Sequence, residues 1–325
     1  MSVLVDHAGL LDELWDRLEG RLRSYPSSID DQVAGLRAYI DAPSRTYFNR
    51  PDAPPLLHLV MWLGVDLERA TLVDILEATA LLYLFVRIQD DILDEPDTRG
   101  HTDWLLLGNA LLWDGIDLLR RRVEHHDFWA VSRGAWLQFC GSTARERTRL
   151  LREEAGTYRE DEFEQDCRKV ALAEIPLLAV LALDTRFEMR DHVGRLVADL
   201  GVAYGLTNDI VGFRRDVAAN MRTHLIDRVR AHVPAERWSD GEAMCRALLD
   251  RSHLETFFRR ARNAHRRAAR HAKKLGLSQF PKFTAERLER LFQLEREALI
   301  ARLSATLANE TSERCEEYGS STTAN

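Results

Sequence analysis

At 325 residues, with 45% apolar and 30% charged side chains, the chain can form one large helical domain or two small ones and is too apolar to be disordered throughout. Its formal net charge of −7 argues against nucleic acid as a partner, because phosphate contacts need a positive surface. No charged n-region with an apolar h-region opens the chain, and the most apolar runs, residues 57–65 and 171–183, fall short of the roughly 20 residues of a membrane span. Cys140, Cys167, Cys245 and Cys315 lack metal-ligand spacing, so the expectation is a cytoplasmic protein with reduced thiols, no transmembrane segment and no structural zinc.

Helical periodicity begins with Leu10, Leu11, Leu14, Leu18 and Leu22, and no strand alternation or Asn-Gly hairpin turn follows. Breaks fall at Tyr25-Pro26, in the proline-rich stretch 51–55, at 96–100, at Gly156 and at 276–281. This pattern predicts an all-α, single-domain helical bundle over residues 1–308, with a disordered polar tail at 309–325. Residues 259–274 carry eight Lys and Arg and no acid, which reads first as a solvated basic helix face and second as a phosphate- or membrane-surface element.

Residues 81–95 read LLYLFVRIQDDILDE: an apolar helix runs into Asp90, Asp91 and Asp94 and breaks at Pro96. Asp90 and Asp94 stand at i and i+4 on one face with Asp91 beside them, an arrangement that repels itself unless a cation joins it. Oxygen-only ligands of this kind suit Mg²⁺, which leaves coordination positions for water and substrate phosphate. Acids at the C-terminal end of a helix are also disfavoured by its dipole. Arg87 shares the face of Asp90 and Asp91, either as a structural ion pair or as a contact to a substrate diphosphate.

A second polar stripe lies at 205–216, GLTNDIVGFRRD, where Asn208, Gly212 and Asp216 repeat at i, i+4 and i+8 and Arg215 adjoins the last acid. Asp209 sits one position round from this stripe. Two acid-lined helices facing one another would clamp a metal-bound diphosphate.

These residues resemble the trans-isoprenyl diphosphate synthases and class I terpene synthases over about residues 44–230. DDILDEPDTRG at 90–100 is similar to the family's DDxxD followed by Arg-Gly, which assigns Arg99 to the substrate diphosphate. Lys169 stands where the family places a lysine that binds the allylic diphosphate. The resemblance implies an isoprenoid synthase fold with a central apolar cavity, a prenyl diphosphate substrate, three Mg²⁺ ions with bound diphosphate, and a homodimer. Metal ligands are then expected among Asp90, Asp91, Asp94, Asn208, Asp209 and Asp216.

Two departures divide the family's branches. Where chain-elongating enzymes have GGKRxRP, this chain has RTYFNRP at 45–51, with Tyr47 and Phe48 in place of the cationic pair. Asn208, Asp209, Arg215 and Asp216 match the terpene synthases' NDxx(S/T)xx(K/R)(D/E), whereas Gly212 lacks the hydroxyl of that pattern. The leading expectation is therefore a cyclase that ionises an allylic diphosphate. The alternatives are a prenyltransferase using isopentenyl diphosphate or another acceptor, and a non-catalytic partner of a synthase. Metal ions would stabilise the leaving diphosphate, with Arg99, Lys169 and Arg215 adding positive charge as it departs. Aromatic faces would stabilise the cation, with Phe85, Tyr83, Trp62, Trp113, Tyr204 and Phe213 as candidates. Phe85, five residues before Asp90, occupies the position where bulk limits prenyl-chain depth in the resembling family.

Overall fold

A helix that is apolar on every side is stable only when other helices enclose it. The segment Arg69–Asp94 is of this kind: Leu72, Val73, Ile75, Leu76, Ala78, Ala80, Leu81, Leu82, Leu84, Phe85 and Ile88 are all buried. In chain order the computed structural model has α1 (Ala8–Leu22), α2 (Asp30–Ile40), α3 (Leu56–Leu63), α4 (Arg69–Asp94), α5 (His101–Arg122), α6 (Phe128–Leu150) and α7 (Glu160–Asp166). A 3-10 segment, Cys167–Ala173, leads into α8 (Glu174–Leu183). Then come α9 (Arg190–Ala218), α10 (His224–Arg230), α11 (Gly241–Asp250), α12 (His253–Lys274) and α13 (Phe280–Ser321). The structure describes residues 8–40, 55–94, 101–150, 158–250 and 253–321, except for the side chains of 8, 39, 40, 93, 94, 101, 150, 250, 302, 303 and 305–321. Among the described residues there is no strand, as the periodicity predicts, and no helix is long and apolar enough to cross a membrane.

Helices α1, α3, α5 and α8 surround α4. The α5 backbone comes close because Gly108 and Gly115 face α4: a Cβ on Gly115 would stand 3.3 Å from the Ala78 carbonyl oxygen, and one on Gly108 would stand 3.4 Å from Ile88. The opposite face of α5 is turned outward, which leaves Trp113 74% exposed and corrects its expected place in an apolar lining. Polar groups in the first half of α4 are paired rather than solvated: Arg17 and Arg122 hold Asp74, and Arg21 holds Glu77 at 2.5 Å. Tyr25 donates to Asp114 (2.9 Å) beside them.

α9 runs through two apolar clusters, packed along its length against α12. Ala261, Ala264, Ala268 and Ala272 on the buried face of α12 are small enough for a close approach. Trp62 is core as well, lying against Phe280 edge-on (6.4 Å, 88°) and against Phe283. α13 continues unbroken past residue 308, the boundary expected from the sequence. No Pro or Gly interrupts residues 305–318, so nothing local stops the helix there.

The 3-10 segment is pressed against α9 at two glycines one turn apart. A Cβ on Gly201 would lie 2.6 Å from the Cys167 carbonyl oxygen, and one on Gly205 would lie 2.8 Å from the Cys167 sulfur. Gly201→Ala should therefore cost about 1–3 kcal/mol by overpacking. Gly134→Ala on α6, where a Cβ meets nothing within 4 Å, should be neutral or stabilising by up to about 1 kcal/mol. Urea unfolding of both variants checks this; equal effects would contradict the close packing.

Candidate functional site

As α4 leaves the core its polar residues emerge on one side. Asp90 and Asp91 are 26% and 53% exposed at their side chains, and Arg87 bridges them, 3.5 Å from the Asp90 carboxylate and donating to Asp91 at 2.9 Å. The structure thus holds Arg87 as an ion pair with the acids. The backbone of Asp94 completes the helix; its side chain lies outside the described residues, as do Arg99 and the whole of residues 41–54. One turn back from the acids, Phe85 is buried and stacks on Trp136 of α6 (5.7 Å, 26°), with Phe139 at 6.3 Å.

The second stripe lies in α9 as a continuous helix, as its spacing predicts, but its members differ in surroundings. Asn208 is exposed, while Gly212 and Asp216 are buried. Asp216 is held by Arg215, two nitrogens of which lie 2.9 Å from Oδ1. The guanidinium folds back over Gly212: a Cβ there would lie 2.7 Å from it and 2.8 Å from Asp216 Oδ2. The space that the missing hydroxyl would enter is therefore filled by the neighbouring ion pair.

Asp209 continues the glycine face of α9, at i+8 from Gly201 and i+4 from Gly205. It is buried, and its Oδ2 accepts the backbone N–H of Leu225 at 3.0 Å. Burial pushes its carboxyl up to about 7; the Leu225 N–H opposes the shift, the Asp216 charge adds to it and the Lys169 charge opposes it. Lys169 is thus brought into the neighbourhood of the α9 carboxylates by the 3-10 segment. Its ammonium donates to both oxygens of Glu146 on α6, at 2.9 and 3.0 Å. The same 3-10 segment packs against α4, α6 and α9.

Glu146 has no signal in the sequence: it lies among the alternating charges of RERTR. The supports of α10 are equally hidden. Asp227 accepts from the Tyr158 backbone N–H (2.9 Å) and from Arg222 (3.0 Å). The Tyr158 hydroxyl donates to Asp166 (2.8 Å), which also pairs with Arg149. His224 is stacked on Phe163 (4.9 Å, 22°), and burial pushes its pKa down to about 3, so it is neutral at pH 7. This buried network fixes the start of α10, and with it the N–H that Asp209 receives. Cys140, Cys167 and Cys245 are free thiols.

Of the other aromatic candidates, Tyr83 is half-buried. Tyr204 is also half-buried and meets His265 of α12 edge-on (6.1 Å). Phe213 is core in the second apolar cluster.

A carboxyl raised on folding favours the native state below its unfolded pKa, and that contribution fades as pH rises through the folded value. In metal-free protein, Asp209 should therefore lower stability between about pH 4 and 7, by a total on the order of a few kcal/mol. Asp209→Asn, which still accepts from Leu225, should remove that part of the slope in a Tm-against-pH series. An unchanged slope would contradict the burial of an uncompensated charge.

No family model and no curated protein matches this sequence. Solved structures do match it. Geranylgeranyl pyrophosphate synthetase from the archaeon Geoglobus acetivorans superposes with a TM-score of 0.68 at 15% identity, covering 90% of this chain and 97% of that one. Geranylgeranyl pyrophosphate synthase from Lactobacillus brevis gives 0.66 at 14% identity, covering 90% and 96%. Polyprenyl synthase from Caulobacter crescentus, solved with calcium and isoprenyl diphosphate, gives 0.66 at 12% identity, covering 87% and 97%. The chain has the all-α fold of the trans-prenyl diphosphate synthases.

Proposed function

We propose that this protein binds the diphosphate of an allylic prenyl diphosphate between the acidic end of α4 and the Asp209–Asp216 face of α9, and transfers the prenyl group to an acceptor. The observation that carries the reading is that Arg215 pairs with Asp216 on α9 while Lys169, held by Glu146, sits on the 3-10 segment packed against that helix, in a fold shared with enzymes named for prenyl diphosphate synthesis. The Caulobacter crescentus structure, with its calcium and isoprenyl diphosphate, supports a divalent cation beside such a substrate.

The donors fit Mg²⁺: all are oxygens, and the acids of α4 already draw a cationic side chain to themselves. Asp90, Asp91 and Asp94 on α4, with Asn208 and Asp216 on α9, would hold it. Asp209, committed to Leu225, shapes the α9 side of the site. When bound, Mg²⁺ supplies Lewis-acid stabilisation of the departing diphosphate. Lys169 and Arg215 add charge-assisted hydrogen bonds to the same oxygens by exchanging Glu146 and Asp216 for the substrate. Arg87 balances the α4 acids until a cation takes over that task. Phe85, with Trp136 and Phe139 behind it, offers apolar and aromatic surface for the prenyl chain.

Cyclisation of the substrate's own chain is the second reading. It is favoured by the second motif, which has Asn208, Asp209 and Gly212 where a second DDxxD would stand in an elongating enzyme and continues with Arg215 and Asp216 of the terpene-synthase pattern, and by Tyr47 and Phe48. A homodimer, which the resemblance implies, would cover exposed Leu106 and Trp113, seven residues apart on one face of α5.

Product analysis by gas chromatography and mass spectrometry, with Mg²⁺ and farnesyl diphosphate, separates the readings. Prenyl transfer predicts that substrate is consumed only when isopentenyl diphosphate or another acceptor is added. A cyclic product from farnesyl diphosphate alone overturns transfer in favour of cyclisation. Asp90→Ala with Asp91→Ala should lower diphosphate release by at least about a thousandfold, in line with the loss of preorganised charge stabilisation from two groups. Near-normal release by that variant would remove α4 from the site.

A further inference from the structure

The buried face of α12 is made of Phe257, Phe258, Ala261, Ala264, His265, Ala268 and Ala272, packed on α9 and α13. Its basic residues divide by position. Arg260, Arg262 and Arg267 are pinned by Glu160, Glu295 and Asp199. Arg259, Arg266, Arg270, Lys273 and Lys274 are exposed and form no ion pair among the described residues. Spaced seven, four and three residues apart, Arg259, Arg266, Arg270 and Lys273 lie on a single stripe of the helix, about 20 Å long at 1.5 Å per residue. On a chain of net charge −7, this concentration of unpaired cations is a local reversal of sign.

Apolar side chains stand beside it. Phe292 of α13 is 48% exposed, with the Arg262 guanidinium 5.1 Å from its ring, one turn before Arg266. Leu299 follows at i+7 on the same face of α13 and is 53% exposed, with Ile300 next to it at 54%. A polyanion or an acidic protein would engage the cations alone. A bilayer with anionic headgroups engages cations and apolar side chains together, at the headgroup level and just beneath it.

We propose that the α12–α13 hairpin is a docking surface for an anionic lipid membrane, with the Arg259–Lys273 stripe on the headgroups and Phe292 and Leu299 reaching the acyl boundary. The test is flotation of the full-length protein with vesicles of phosphatidylcholine alone and of phosphatidylcholine with 30% phosphatidylglycerol. Binding should occur on the anionic vesicles only and fall steeply as salt rises. At about fivefold in affinity for each cation near an anionic surface, Arg266→Glu, Arg270→Glu and Lys273→Glu together should weaken binding at least about a hundredfold. Because a triple charge reversal could disturb the helix, the triple Gln variant is a second arm and should show the weakening with an unchanged circular dichroism spectrum. Phe292→Ser should reduce the binding that persists at high salt. Equal flotation with neutral vesicles, no flotation with anionic ones, or full binding by the Gln variant would each overturn the proposal. Retention on heparin without vesicle binding would do the same, pointing to a soluble polyanion instead.

Discussion

Asp90 and Asp91 repel one another at the end of a helix whose dipole already disfavours negative charge, and the side chains around them answer that repulsion. Arg87, one turn back, is the counter-charge on α4. The same constraint recurs on α9, where Asp216 is held by Arg215 and buried Asp209 feels the charge of Lys169. The Arg87 pairs, partly exposed on both sides, are worth only about 0–1 kcal/mol and are cheap to exchange for a stronger partner. In the proposed function, Lys169 and Arg215 are the cations that the diphosphate would recruit.

Exchange of partners requires a scaffold that does not move with them. α4 is enclosed along most of its length, with α5 brought close by Gly108 and Gly115 and with Arg17, Arg21 and Arg122 pairing its acids Asp74 and Glu77. On the other side, Gly201 and Gly205 let the 3-10 segment lie directly on α9, which brings Lys169, held by Glu146, close enough for its charge to act on Asp209. α10 is anchored in turn by Asp227, Arg222 and the Tyr158–Asp166 pair, so that the Leu225 N–H meets Asp209 from the far side.

The helices, the acidic end of α4 and the α9 stripe are legible in the sequence because each is local, set by periodicity over a few turns and by residues three or four apart. Lys169 was reachable only through resemblance, since nothing within its own segment ties it to α9. Glu146 was not reachable, because its role depends on packing between α6 and a segment more than twenty residues away. Gly201 and Gly205 read as ordinary glycines until the 3-10 segment is set against them. Trp113 shows the converse: its apolar neighbours in the sequence suggest an inward position, and its side of α5 faces outward. The branch of chemistry was legible only in part. The second motif and the 45–51 stretch lean toward cyclisation, whereas the solved structures with this fold are named as prenyl diphosphate synthases.

In the proposed function the α4 acids and the α9 face with Lys169 act as one receptor for diphosphate together with a divalent cation. Isothermal titration with inorganic diphosphate, with and without Mg²⁺, tests it most directly. Diphosphate should bind tightly only when Mg²⁺ is present, and either Asp91→Asn or Lys169→Gln should weaken that binding at least about tenfold, as expected for loss of one charge-assisted contact. Diphosphate binding that is indifferent to Mg²⁺, or untouched by both substitutions, would contradict it.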